Sequence, residues 1–593
     1  MSRAPDLEPE NLSVLGKAWA ARNQDQRQAL FLAQRLNIDP ALAAVLAGRE
    51  VDLEQAQDYL EPKLSAMPDP YVLKNMEQAC ILVQKALKEG QKIAIFGDYD
   101  VDGLTATTLM TRALRSVDHE PLTYIPDRFS EGYGPNIPAI HKLHGAGAQM
   151  IIFVDCGTAA VEAIAAAKEL GLSVIIIDHH QGSSPLPAAD ALVNPNHMHD
   201  SSQLGQLCAA GVVFMFLVAL FRLLRKDGYK NLPDLRSALD LVALATVCDV
   251  VPLQGLNRIF VSAGLQVIRS WENTGLRALF ALSNNADQPN VSTLGFHLGP
   301  RLNAGGRIAH ASAGLELLLE SDPQKAAIMA ATLDSLNAER QEIEASVFEQ
   351  ALAQLAARKD QGDPRCIFVA GEDWHEGVIG VVAGRLKELY YRPSFVFSYN
   401  GDMAKASARS IAGVDIGALV SAAKQLGLIT AGGGHAMAAG LSLKREQMQA
   451  FQDFITSKMS EIDSKTLVPR LLYDDIKRIK AVNHQLYTAL QRAAPYGQGN
   501  AEPRLIIPSA SIKSLRAVGQ TKEHFALVLQ DHSGASIKAM AFRATTTGLA
   551  TALQRAHKGG TFAFIGKLRE DAWAGAQSVQ FLLEDISETF ATD

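Results

Sequence analysis

Apolar positions in the first 75 residues recur at helical intervals and are broken by prolines, closing in "SAMPDPYVLKNM". This predicts a small helical region over 1–75 that carries no chemistry of its own. From 76 to 321 short apolar runs alternate with helical patterns. "KIAIFGD", "MIIFVDCG" and "SVIIIDHH" read as strands, and "GLTATTLMTRALRSV" and "AAVEAIAAAKEL" as helices. Such alternation predicts an α/β fold built on a parallel, doubly wound sheet. "LDLVALATVCDVVPL" reads as a buried helix ending near Asp249.

A long helical pattern over 322–363 connects this domain to a second, smaller α/β unit at 364–468. "RAAPYGQGNAEP" then reads as a linker of turn residues. The last region, 469–593, has short, regularly spaced strands such as "HFALVLQD" and "TFAFIGKLRE", which predict a small β-barrel.

Three predicted strands end in acids. Asp98, Asp100 and Asp102 follow the first, Asp155 the second, and Asp178, His179 and His180 the third, while Asp249 closes the buried helix. In an open parallel sheet, sites form beyond the carboxyl ends of the strands, so these groups converge. Like charges this close repel and are costly to desolvate, which implies cations among them. Carboxylate oxygens with imidazole suit Mn²⁺ or Mg²⁺, and the acids are numerous enough for two ions. Such a pair stabilises the attacking and leaving oxygens of a phosphoryl displacement. The alternate spacing of "DYDVD" places Asp100 and Asp102 on one side of an extended segment, with Asp98 ligating or orienting beside them. One D-x-D after a strand is ordinarily a cap or turn. The ordered set after successive strands is what argues for metal.

Composition adds limits. The 593 residues, 48% hydrophobic and 20% charged, are those of a multidomain globular protein. A net charge of −7 does not advertise nucleic acid, although a local basic channel is compatible with it. Five scattered cysteines without a C-x-x-C pair argue against a disulfide framework or zinc ribbon. "GVVFMFLVALF" is too short for a membrane span and the N-terminus has no apolar leader, so a cytoplasmic protein with no membrane partner is expected. Nothing suggests a coiled-coil dimer, and a monomer is expected.

"DYDVDG", "VDCG", "DHH" and "CDVVPL", in this order, resemble the motifs of the DHH phosphoesterase superfamily. The resemblance implies a two-metal phosphoesterase. Its metal ligands are Asp100, Asp102, Asp155, His179 and Asp249, with Asp98 joining them, Asp155 bridging, His180 ligating or touching the scissile phosphate, and Asp178 orienting a histidine. "AGGGHAMAAG", a flexible turn if taken alone, resembles the signature of the DHHA1-type substrate-binding domain, which closes over the metal site. There Gly432, Gly433 and Gly434 offer backbone N–H groups to a phosphate and His435 pairs with its oxygens.

"GPRLNAGGR", "WHEGVIGVVAGRL", "ASARS" and "PYGQGNAEP" extend the resemblance over about residues 70 to 590. They point to the branch of single-strand-specific 5′-to-3′ DNA exonucleases, with an OB-type barrel at the C-terminus. That branch implies release of mononucleotides from single-stranded DNA in repair and recombination, beside a single-strand-binding protein and a helicase. In it Arg409 with Ser407, joined by Arg128, is expected to take a 5′-terminal phosphate. Arg301, Asn303 and Arg307 are expected to line the nucleotide path or to cap the long helix. Trp374 is expected in the core or near the strand. Barrel lysines and arginines interleaved with Phe525, Phe542 and Phe564 suit single-strand binding, unless the aromatics fill the barrel. Two alternatives stand: the same chemistry on short oligonucleotides, and a scaffold without activity.

Overall fold

The computed structural model describes residues 12–23, 25–127, 131–132, 134–182, 185–283, 288–358, 364–571, 578–588 and 590. The chain divides into two compact units. One comprises 57–340 with 495–501, the other 1–56, 341–494 and 502–593.

The first unit is built on five parallel strands: β1 (Ile93–Phe96), β2 (Leu122–Tyr124), β3 (Met150–Val154), β4 (Ser173–Ile177) and β5 (Ala191–Val193). Their spatial order is β2-β1-β3-β4-β5. β1 and β3 are buried along their whole length, so they read as continuous apolar runs rather than as alternating ones. Helices cover both faces. Those that matter for the site are α1 (Val101–Arg115), α2 (Ala209–Lys226), α3 (Leu239–Cys248), α4 (Gly255–Val267) and α5 (Gly299–Ile308). α2 and α3 are apolar nearly all round because they are interior helices, packed in the core with α1. Among the described residues no helix is long and apolar enough to cross a membrane.

Residues 495–501, read from their turn chemistry as a linker, pack into this unit instead. Asn500 is completely buried there, held by the Tyr59 hydroxyl and by Pro495 O.

In the second unit, β6 (Ile367–Glu372), β7 (Ser394–Asn400), β8 (Met403–Arg409), β9 (Ala431–His435) and β10 (Ala438–Lys444) form a mixed sheet ordered β9-β10-β8-β7-β6. α6 (Pro323–Ala356) is the long helix, and the division between the units falls within it. The C-terminal strands are β11 (Asp475–Ile476), β12 (Leu505–Val518), β13 (His524–Gln530), β14 (Ser536–Ala541), β15 (Phe562–Glu570) and β16 (Val579–Ser587). β12 pairs with both β13 and β15, which closes five strands into an OB-type barrel with β11 on its flank. The N-terminal stretch, read as helical, also contains a strand, Ala18–Ala21, which pairs in parallel with Arg470–Tyr473. Its four residues, AWAA, show no alternation that would have revealed it.

Candidate metal centre

Strand order decides where chemistry can sit. β1 connects to one side and β3 to the other, so a crevice opens beyond their carboxyl ends. Asp98 follows β1 and Asp155 follows β3. Their three-membered group with Asp100 places one oxygen from each within 4.8 Å of the others. Asp102, His179 and Asp249 make a second such group, and Asp155, His179 and His180 a third. His179 Nε2 is the meeting point, 3.3 Å from Asp155 Oδ1, 3.7 Å from Asp102 Oδ2 and 3.8 Å from Asp249 Oδ2.

The way Asp100 and Asp102 are presented corrects the alternate-spacing argument. The segment is not extended at Asp102. Asp100 is the N-cap of α1, accepting from the amides of Asp102 and Gly103, and Asp102 lies in the first helical turn. A helix that starts here has orphan amides to satisfy, and Asp100 satisfies two of them. The two carboxylates therefore serve different groups rather than one face.

Asp102 is fixed from a second direction. Its two oxygens accept from the first amides of α2, Ala209 N at 2.6 Å and Ala210 N at 2.8 Å. A helix N-terminus favours an anion, which offsets part of the cost of burying this one. Nothing local in "CAAGVV" signals that role. Asp178 is not aimed at the cluster in the same way. It accepts from the His179 amide, from Thr158 N and from His180 Nδ1 at 2.8 Å, which fits the orienting role expected for it.

The electrostatics separate the two kinds of acid. Burial, then Asp102, Asp100, Asp98 and Asp249, push the Asp155 carboxyl well above the usual range. Burial and the charges of Asp102 and Asp100 push Asp249 up to about 9. Burial also raises Asp102, against the pull of His179 and the α2 amides. Asp178 goes the other way: burial would raise it, but the hydrogen bonds and charges around it, those of His180 foremost, hold it below the ordinary carboxylate range.

Buried acids that repel one another are what a divalent cation relieves. Two observations fit one here. Asp155 Oδ1 is buried and receives no hydrogen bond, and Asp155 itself takes φ +61°, a left-handed value that few residues besides glycine, asparagine and aspartate adopt. Most of the donors are carboxylate oxygens, as Mg²⁺ and Mn²⁺ prefer, with imidazole nitrogen beside them. The thiols next in sequence to two of the acids bond elsewhere, Cys156 to Phe96 O and Cys248 to Leu294 O.

The remaining expected residues are distributed as follows. Asn303 lies in α5, where its Oδ1 accepts from Val101 N, and so ties α5 to the "DYDVD" loop. Gly306, one turn on, lets the helix approach that loop: a Cβ there would lie 3.0 Å from Tyr99 O. Arg301 is bonded to Asp334 and to His297 O, and Arg307 lies in the same helix. Gly305 packs closely as well: a Cβ there would lie 2.8 Å from His310 O.

In the second unit, Arg409 sits on β8 with its guanidinium 3.1 Å from Ser407 Oγ. Gly432, Gly433, Gly434 and His435 form the edge strand β9, not a loop. Trp374 is core, hydrogen-bonded to Gln350. Arg128 lies outside the described residues. In the barrel Phe525 and Phe564 are buried filling, whereas Phe542 is 52% exposed and packs edge-on against His524. Lys567 and Lys538 are paired with acids, and Lys513, Arg516, Lys522 and Arg543 are exposed.

Comparison with known proteins follows this division. Residues 92–246 match the DHH family N-terminal domain, 363–461 the DHHA1 domain, and 473–585 the RecJ OB domain. The single-stranded-DNA-specific exonuclease RecJ of Haemophilus influenzae is 34% identical, over 88% of this chain and 92% of its own length. The Bacillus subtilis RecJ is also 34% identical, over 87% of this chain, which spans 64% of that longer protein. Among solved structures, Thermus thermophilus RecJ in complex with Mn²⁺ superposes with a TM-score of 0.79 at 27% identity, covering 96% of this chain and 79% of the other. The same Thermus protein has been solved with Mg²⁺. With the acid constellation, the two sheets and the barrel in place, the chain belongs to the RecJ family of single-stranded-DNA-specific exonucleases.

Proposed function

We propose that this protein hydrolyses single-stranded DNA from its 5′ end to mononucleotides, using two divalent cations, in DNA repair and recombination. One observation carries the reading: Asp98, Asp100, Asp102, Asp155, His179 and Asp249 converge beyond the ends of β1 and β3, with a buried Asp155 oxygen that receives no hydrogen bond. These six side chains are assigned as the ligands of Mn²⁺ or Mg²⁺, with Asp155 shared. When bound, the ions supply positive charge to the attacking and leaving oxygens and lower the pKa of water.

The chain's own residues set the geometry. The N-terminus of α2 fixes Asp102, and the α1 cap fixes Asp100. Asp178 holds His180 by its Nδ1, and the His180 ring is assigned to touch the scissile phosphate. Arg409 with Ser407 offers a guanidinium and a hydroxyl to a 5′-phosphate. The β9 edge, Gly432 to His435, offers backbone and imidazole to the strand, and Arg301 and Arg307 border its path. The catalytic work is assigned to 76–321, substrate capture to 364–468 and strand binding to 469–593. A cytoplasmic monomer working beside a single-strand-binding protein and a helicase completes the proposal.

The test is end-labelled DNA. A 5′-phosphorylated, 3′-labelled single strand should shorten stepwise with Mn²⁺ or Mg²⁺, releasing mononucleotides, while a blunt duplex stays intact. Shortening from the 3′ end, or equal rates on both substrates, defeats the proposal.

A further inference from the structure

Residues 495–501 leave the second unit, pack into the first and return at Glu502. They make a four-residue turn, Gly497 to Asn500, closed by reciprocal backbone bonds of 2.9 and 3.2 Å. The third residue, Gly499, takes φ +69°. Three residues just past Asp249 meet the turn, Pro252, Leu253 and Gln254. Gln498 O accepts from Leu253 N at 2.8 Å, and Gly499 O from Gln254 Nε2 at 3.2 Å. A Cβ on Gly499 would sit 2.9 Å from Pro252 Cβ, and one on Gly497 would sit 2.7 Å from Leu253 Cδ1.

Behind the turn stands a buried polar network. Asn500, fully buried, accepts from the Tyr59 hydroxyl at 2.8 Å and donates to Pro495 O at 2.8 Å. Arg258 of α4, 1% exposed, donates to Tyr59 O and Pro495 O and lies 4.1 Å over the Tyr59 ring. A buried arginine that is satisfied by carbonyls and an aromatic face is costly to rearrange, so it holds the turn rigidly.

The loop this turn grips is strained. Val250, the residue after Asp249, takes φ +58° while 62% exposed. A β-branched residue is a rare occupant of that region and stays there only when its surroundings impose it. Packing of its own side chain does not impose it. The 495–501 turn grips Pro252, Leu253 and Gln254, the next residues but one.

We propose that the 495–501 turn is a positioning clamp for Asp249, with Asn500 as its positioning residue. Through it, the segment leading into the C-terminal barrel sets one carboxylate of the metal centre. The inference rests on the metal-dependent reading above and goes beyond it.

The test compares full-length wild type with Asn500→Ala, Gly499→Ala and Asn273→Ala. Asn273 caps a helix elsewhere in the same unit, so its loss weakens the unit without touching the turn. Mn²⁺ binding is read directly by loss of the free-ion paramagnetic resonance signal. Hydrolysis is read as kcat and KM on single-stranded DNA. Both turn variants should bind Mn²⁺ about tenfold more weakly and lose kcat with KM unchanged, as for residues that orient metal ligands. Asn273→Ala should show neither change. Should Asn500→Ala not fold, Gly499→Ala, which removes no hydrogen-bonding side chain but strains the turn at φ +69° and presses on Pro252, decides. Wild-type Mn²⁺ affinity in the turn variants, or an equal loss in Asn273→Ala, overturns the clamp. A wild type that binds no Mn²⁺ overturns the metal reading instead.

Discussion

Replacing Asp249 by Asn should stabilise the ion-free protein while removing its activity. The carboxyl is raised from its ordinary value of 3.8 to about 9 by burial and by Asp102 and Asp100. A group whose pKa is higher in the folded state contributes stability that is present below its unfolded pKa and is lost as pH climbs to the folded one. The loss therefore runs from about pH 4 to about pH 9. At about 1.4 kcal/mol for each pH unit, the ceiling at pH 8 is about 6 kcal/mol. The side chain keeps 24% of its surface in water, and screening there leaves about 2 kcal/mol as the expected size. Asn has nothing to titrate and keeps the same shape. For a unit of about 290 residues that gain is about 3 °C in unfolding temperature.

The assay is thermal unfolding of both proteins in chelator at pH 5 and pH 8, then with Mn²⁺. The variant should be more stable at pH 8, nearly equal at pH 5, and much less responsive to Mn²⁺, with hydrolysis down by at least about a hundredfold. A variant less stable than wild type in chelator at pH 8, or a gain as large at pH 5, refutes the reasoning.

Because Asp102, Asp155 and Asp249 are all raised, Mn²⁺ must displace protons. Its affinity should rise between pH 6 and pH 9, and calorimetric heats should depend on the buffer's ionisation enthalpy; buffer-independent heats would count against this. Arg409→Ala should lose about tenfold or more in kcat/KM on 5′-phosphorylated strands and little on 5′-hydroxyl strands, in competition assays. Phe542→Ala, which removes an exposed ring from the barrel, should weaken binding of a long strand by about 1–3 kcal/mol in fluorescence anisotropy. Turnover of a dinucleotide should not change. Unchanged binding of the long strand would favour a small-substrate enzyme, and equal losses on both substrates would mark a structural defect instead.

The acids were legible because each follows an apolar run, and β1, β3 and β4 needed only their own residues to be seen as strands. Their meeting point depends on the order β2-β1-β3-β4-β5, which parallel alternation implies in kind but not in sequence of neighbours. Presentation was not legible. Asp102 is held by the first amides of α2, more than a hundred residues away, and a helix terminus leaves no mark on the residue it holds. The turn residues of 495–501 correctly predicted a turn and wrongly suggested a linker, because burial of Asn500 depends on Tyr59 and Pro495 rather than on its neighbours. Phe525 and Phe542 look alike in sequence. One fills the barrel and one faces water, since Phe542 lies just past the end of β14, beyond the alternation that would have placed it.

The central claim is that the crowded acids exist to hold a pair of cations. Anomalous scattering from Mn²⁺-soaked crystals tests it most directly. Two peaks are expected, one beside Asp98, Asp100 and Asp155 and one beside Asp102, His179 and Asp249, and both should weaken in Asp155→Asn. Peaks elsewhere on the chain, or none at wild-type Asp155 under saturating Mn²⁺, would contradict the account.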